Sequence, residues 1–376
     1  MELSPEQAAI RETVREIAVE EIRPVAADAD AAESFPEDVW DTLADLDLTA
    51  LTVPAEYDGF DADRLTYAIV NEELAYGSLA VATALSVHSL ATSCIAEFGS
   101  EAVRERWLPE MAAGRPVGAF ALSEPEAGSN PAEMETVARR DGDAYVIDGE
   151  KQWITNGERS GVAVVFAKTD PDDPESITQF LVPKDADGLT VGPPEEKLGL
   201  RASDTTALTF DGVRIPAENR LTEEGRGLAA ALSILSGGRV GIAAQSVGLA
   251  QAALDEAIEY AQDREQFDAP ISDIQSIRHK LAEMQTTVQA GRLLTRDAAR
   301  RMDRGEDARM AASMAKYFAS EGAMDVTNEA VQIHGGYGYV DSDVERFYRD
   351  AKVTTIYEGT TQIQKTVIAR EMLDRS

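Results

Sequence analysis

Near its carboxyl end the chain reads "VTTIYEGTTQIQKT", residues 353–366, and one carboxylate, Glu358, stands there among Ile356, Tyr357, Gly359 and two threonines. Most glutamates are solvated, so a surface side chain beside a loop is the plain reading. A lone carboxylate in an apolar, glycine-marked turn is nonetheless an unusual placement, and the rest of the chain has to decide its use. Two other stretches carry groups suited to a polar heterocycle. "FALSEPEAGSN" (120–130) places Phe120, Leu122, Ser123 and Ser129 along a strand and a turn of small residues, whose free amides can cradle an anion or a ring edge. "KQWITNG" (151–157) sets Trp153 and Thr155 on one strand face, an aromatic plate beside a hydroxyl, although core packing is the commoner use of a strand tryptophan. "HGGYGY" (334–339) permits close backbone approach or simply ends a helix. Arg264 in "QDREQF" closes a long helix where a cation is welcome in any case.

Several usual signals are missing. No G-x-G-x-x-G follows a strand, and neither a Walker loop nor a G-x-S-x-G elbow occurs. His88, His279, His334 and the single cysteine lie far apart, which argues against a metal site. An organic cofactor held by backbone amides and aromatic faces is what remains.

Elements that position these residues change period twice along the chain. Ser4 as N-cap, Pro5 at the first helical position and Gln7 at the capping-box position open a helix. Its stripe is Ala9, Ile10, Val14, Ile17, Ala18 and Ile22, with Pro24 expected to bend or end it. "EDVWDTLADLDLTAL", "DRLTYAIVNEELAYGS" and "LAVATALSVHSLATSCIAEFGS" predict three more helices. From about residue 117, six short runs between Gly, Asp, Asn and Pro turns predict a small antiparallel barrel or sandwich. After "EEGRGL" the 3.6 period returns and long helices run to the end. The expected division is an α-helical segment 1–117, a β segment 118–225 and an α-helical segment 226–376.

A chain of 376 residues with 44% apolar content exceeds one compact core and is not disordered. Its net charge of −33 repels nucleic acid and anionic membranes, excluding both as partners. The acid is spread over apparent surfaces such as "PDDPES" and "DGDAY", a coat that fits a halophilic protein in molar salt. Cys94 reads as a buried, inert thiol. No basic, apolar leader opens the sequence and no apolar run reaches spanning length, so the expectation is a cytoplasmic protein without membrane insertion.

Together, "ALSEPEAGSN", "WITNG", "GGRVGIAAQSVGLAQAAL", "DREQF", "QSIRHKLAEM", "VQIHGGYGY" and "RDAKVTTIYEGTTQIQ" resemble, in order and end to end, the acyl-CoA dehydrogenases of short-, medium- or branched-chain type. The resemblance implies an acyl-CoA dehydrogenase-like fold: an all-α N-terminal domain, a β-barrel middle domain and a C-terminal four-helix bundle, assembled as a homotetramer. It implies FAD as cofactor, an acyl-CoA substrate and an electron-transferring flavoprotein as partner. Glu358 maps onto the base that removes the α-proton. Phe120, Leu122, Ser123 and Ser129 map along the flavin, and Trp153 and Thr155 over its ring. Arg264, with Gln266, Phe267 and Gln275 nearby, maps onto pyrophosphate contacts across a subunit interface. Gln332, Gly335 and Gly336 map to the adenosine half, and Thr360 and Gln362 to the dinucleotide. Ser129, Ser236, Arg239 and Gly359 map to acyl-CoA contacts.

Departures sharpen the reading. Ser236 stands where many relatives have an aspartate that contacts CoA, and Asn130 replaces the commoner aspartate of "AGSD". Isovaleryl-type and long-chain relatives carry their base near Gly238, where glycine cannot serve. Glutaryl-type relatives carry an arginine near Ala82, so a dicarboxylyl substrate is disfavoured. Two rivals stay open here: an acyl-CoA oxidase on the same scaffold, revealed by peroxide formation in air, and a silent acyl-CoA- or flavin-binding protein, which has no use for a base at Glu358.

Overall fold

The computed structural model describes residues 2–340 and 342–373. The capping box at Ser4 and Gln7 is formed and opens α1 (Pro5–Ile17). A wide helical turn over Ala18–Ile22 joins it to α2 (Arg23–Ala32). The regular α-helix opened at Ser4 thus ends before Pro24, which stands where the next one begins. Proline has no amide to donate, and the wide turn rearranges the ladder so that Pro24 sits in the first turn of α2. The run predicted as one helix after Ser34 is split: α3 (Glu37–Asp45) stops, Asp47 turns left-handed with φ 57°, and a short 3₁₀ turn covers Leu48–Ala50. Next come α4 (Arg64–Gly77), α5 (Leu79–Phe98) and α6 (Glu101–Ala112).

The middle region holds β1 (Gly118–Ala121), β2 (Val137–Asp141), β3 (Ala144–Thr155), β4 (Val162–Lys168), β5 (Ile177–Pro183), β6 (Leu189–Val191) and β7 (Thr205–Pro216). They form one sheet in the order β1-β4-β2-β3-β7-β6, with β5 also paired to β4. The expectation of a purely antiparallel arrangement is corrected, since β1 runs parallel to β4 from Gly118↔Val162 to Ala121↔Val165. Sequence reading also passed over β2, "VARRD", because its outer half is exposed arginine and aspartate without an apolar alternation.

The last region contains α7 (Gly227–Asp263), a two-residue hairpin of β8 (Glu265–Gln266) and β9 (Ala269–Pro270), then α8 (Gln275–Asp303) and α9 (Arg309–His334). Three short helices follow: α10 (Gly336–Tyr339), α11 (Asp343–Thr354) and α12 (Thr361–Leu373). One apolar core runs from Val14 to Ala351, so the first and last helical regions are not separate hydrophobic bodies. In it α4 packs on α7, α7 on α8 and α9, and α11 and α12 on α9. Two helices, Leu79–Phe98 and Gly227–Asp263, are long and apolar enough to cross a membrane, which corrects the statement that no run reaches that length. Their apolar windows are 83% and 67% buried within the fold, as core helices are.

Candidate active site

The turn that carries Glu358 lies between α11 and α12, and α11 is tied down from two sides. The Leu200 amide donates to Asp350 at 2.5 Å, and Arg349 donates to Asp30 of α2 at 2.7 Å. Two successive residues of the turn take positive φ, Glu358 at 53° and Gly359 at 89°. The glycine adopts this freely, whereas the glutamate is held against a preference of about 1–2 kcal/mol. A residue kept strained in this way marks a place where the surroundings over-determine the backbone. Glu358 Oε2 is shielded from solvent and has no hydrogen-bond partner. It points at α7, where a Cβ built on Gly238 would lie 2.8 Å from it. Burial pushes the Glu358 carboxyl up to about 7, against the opposing pull of Arg239 and Lys316. Arg239, itself buried, has its guanidinium pKa lowered by desolvation, and its Nε also lacks a partner. An unpaired carboxylate that titrates near neutrality can take a proton from a weak carbon acid brought against it.

The loop after β1 and the end of β3 are brought together as a second group. Buried Lys151 donates to Glu124 at 2.6 Å and to the Leu122 carbonyl at 3.2 Å, and the Gln152 amide donates to the Ser123 carbonyl at 3.0 Å. Glu124 also accepts the amides of Glu135 and Thr136, so one buried ion pair pins both ends of the loop. At a bulge between Lys151 and Ile154, Trp153 has φ 58° and remains 53% exposed. This overturns core packing as the use of Trp153. A bulky residue in that backbone region with its ring in the open is set out to be covered by something else. Phe120 instead packs on Phe166, with ring centroids 4.9 Å apart, and Ser129 is exposed. Removing Lys151 strands the Glu124 charge, so Lys151→Met is expected to lower stability by about 3 kcal/mol or more, read by thermal or denaturant unfolding. A change within ~0.5 kcal/mol would show that the pair does not hold the loop.

The first and second groups meet on α5. Thr83 Oγ1 lies 3.4 Å from the Tyr357 hydroxyl, and Asn156 donates to the Ala84 carbonyl at 2.9 Å. A third group stands apart. Arg264 and Gln266 join Tyr260, Gly335, Gly336 and Tyr337 around a cleft of about 570 Å³. Gln332 and Gln275 lie exposed beside the elements that line it, and Phe267, at φ 56°, is 89% exposed. Lys316, which donates to the Gly359 carbonyl, and His334 both lie on α9, and at 1.5 Å per residue the cleft end is roughly 27 Å along the helix from the Glu358 turn. Thr360 sits partly buried at the start of α12, where its hydroxyl accepts the Ile363 amide, and Gln362 is exposed. The Ser236 hydroxyl is turned back on the Leu232 carbonyl of its own helix at 3.0 Å.

Family profiles match in series along the chain: "Acyl-CoA dehydrogenase, N-terminal domain" over residues 4–115, "middle domain" over 119–213 and "C-terminal domain" over 225–373. The chain belongs to the acyl-CoA dehydrogenase family. Among its relatives, the short-chain specific acyl-CoA dehydrogenase of Rattus norvegicus mitochondria is 42% identical over 376 residues, 99% of this chain and 91% of that one. A probable acyl-CoA dehydrogenase, fadE25, of Mycobacterium leprae is 45% identical, over 99% of this chain and 96% of that one. The solved structure of butyryl-CoA dehydrogenase from Megasphaera elsdenii superposes with a TM-score of 0.97 at 38% identity, covering 99% of each chain. As a member of the acyl-CoA dehydrogenases, the chain is an FAD-dependent oxidoreductase with the helical–β–helical fold of that family. Sequence reading of this acyl-CoA dehydrogenase missed Lys316, Lys151, Glu124 and Gln364. A lone lysine among alanines, serines and aromatics in "AASMAKYFAS" was the available signal for the first.

Proposed function

We propose that the chain dehydrogenates an acyl-CoA thioester to the trans-2-enoyl-CoA, with Glu358 removing the α-proton. The observation that carries this is the Glu358 carboxylate: shielded, without a partner, titrating near 7 and aimed over a glycine that leaves it room. A thioester α-proton is weakly acidic, so its carbonyl must be polarised as the proton leaves. The Glu358 amide has no hydrogen-bond partner among the described residues and supports that role. Arg239 and Gly359 border the same turn and are proposed to meet the acyl-CoA, as are Ser129 and Ser236. Ser236, engaged with its own helix, leaves the CoA chain without the carboxylate many relatives offer.

The residues present suit FAD. Trp153, half exposed at its bulge, with Thr155 following, offers a plate for the flavin ring, and Phe120, Leu122, Ser123 and Ser129 an edge for it. Arg264 opens on the glycine-lined cleft, where a pyrophosphate would find a cation and little steric bulk: nothing lies within 4 Å of a Cβ built on Gly335 or Gly336. Gln266, Phe267, Gln275, Gln332, Thr360 and Gln362 are the further proposed contacts. Acceptance of the β-hydrogen as hydride is the chemistry bound FAD supplies. A homotetramer in which this cleft serves a neighbouring copy's flavin is supported by its distance from the base and by Phe267, Tyr337 and Tyr339, which are 89%, 64% and 84% exposed around it. Electron-transferring flavoprotein is the proposed acceptor.

The deciding experiment is anaerobic titration in concentrated KCl with saturated acyl-CoAs of increasing length. Bleaching of the oxidised flavin band by one group of thioesters is expected and names the substrate class. A yellow protein that none of them bleaches would overturn the reading. The pH profile gives a second expectation. Because Glu358 works ionised and burial raises its pKa, kcat/KM should climb as pH rises through about 7 and fall away below 6. A profile flat down to pH 5 would point to a different base.

A further inference from the structure

A buried ammonium is costly unless it is paired, and α9 carries one at Lys316, whose relative exposure is 0%. No carboxylate lies within ion-pair distance of it among the described residues. Its hydrogen bond goes instead to the Gly359 carbonyl, with Nζ at 2.8 Å. Gln364 Nε2 donates to that same carbonyl at 2.9 Å and to the Glu358 carbonyl at 3.2 Å. Two buried donors thus hold consecutive carbonyls in the part of the turn where φ is positive. A neutral donor would satisfy the Gly359 carbonyl equally well, so the charge itself calls for a use.

We propose that Lys316 is a positioning residue for the base: Nζ clamps the Gly359 carbonyl so that Glu358 keeps its left-handed backbone, and the ammonium charge near the turn favours the ionised carboxylate. This rests on the reading of Glu358 as the base. Glu358 faces Arg239 from α7, Lys316 from α9, Tyr67 from α4 and Tyr357 from its own turn, and Leu90 of α5 reaches the same space over Gly238. Lys316 faces Arg239 and Glu321 besides Glu358, and Glu321 is already engaged by the Thr361 hydroxyl at 2.6 Å. Arg370 bears on Arg239 from α12. Two cations therefore oppose the burial of one carboxylate. Neutralising Lys316 leaves burial opposed by Arg239 alone, and the Glu358 pKa must rise.

Lys316→Gln removes the charge and keeps a donor for Gly359; Lys316→Met removes both. The two variants are prepared as FAD-loaded enzymes beside Glu358→Gln. In Lys316→Gln the midpoint of the kcat/KM profile should move up by about one pH unit, with activity about fivefold lower at pH 7 and recovered near pH 9. Lys316→Met should show the same shift plus a kcat loss that high pH does not restore. An independent readout is the infrared carboxyl band of Glu358, assigned by difference against Glu358→Gln, whose disappearance with pH should move by the same amount. An unmoved band and midpoint in Lys316→Gln would overturn the proposal, even if Lys316→Met is too unstable to purify. Undiminished turnover in Glu358→Gln would overturn the base assignment instead, so the two failures are separable.

Discussion

Glu358→Gln is expected to lower turnover with a saturated acyl-CoA by about a thousandfold, within the range lost with a general base, while FAD remains bound. Glutamine matches the side chain in size but cannot accept the proton. Folding should not suffer, because Oε2 makes no hydrogen bond that the amide would forfeit. The linkage has a definite sign. Burial holds the proton on folded Glu358 up to about 7, whereas the unfolded carboxyl releases it near 4.5. The folded state binds more protons through that window, so stability falls as pH rises across it. Glutamine abolishes that loss, and the melting temperature of the variant should gain on the parent between pH 5 and pH 8. Steady-state rates and flavin absorbance on the same preparations check the first expectation. Activity within tenfold of the parent would remove Glu358 from the chemistry.

Gly238→Ala should lose about a hundredfold in kcat with almost no loss of stability. The new Cβ would stand 2.8 Å from Glu358 Oε2 and 3.3 Å from Leu90 Cδ2. The nearer atom is the tip of a flexible side chain, so it moves aside at little folding cost, and alanine improves helix propensity by about 1 kcal/mol. What moves, however, is the carboxylate proposed as the base. A displacement near 1 Å at the reacting centre costs on the order of a hundredfold. Calorimetry and kcat on one preparation separate the two effects. Unchanged kcat would mean that the carboxylate does not work from its place over Gly238.

Much of the scaffold was legible because its causes are local. Ser4 and Gln7 close a box within one turn of helix, and α5 ends at Gly99 as its sequence suggested. Six of the seven strands in the large sheet announced themselves through turn residues and apolar runs. The misses have causes that are not local. The parallel pairing of β1 with β4 depends on how a chain some forty residues later returns beside it. For Trp153 the sequence left a core use and an exposed plate both open, and the bulge at which its ring stands exposed lies in the pairing of β3 with β7.

The sequence by itself determined that Glu358 sits in an apolar, glycine-containing turn, that an aromatic and a hydroxyl flank the end of one strand, and that the whole chain carries the motifs of one enzyme family. Short-range periodicity, caps and turn chemistry act over a few residues, and motifs preserve them in order. Only the tertiary structure decided what surrounds the carboxylate. Gly238 and Arg239 come from α7, Lys316 from α9 and Leu90 from α5, segments that lie 42 to 268 residues from Glu358 along the chain. Burial and Coulomb interaction depend on distance in space, so the pKa near 7 belongs to the packing of those helices and to no stretch of sequence.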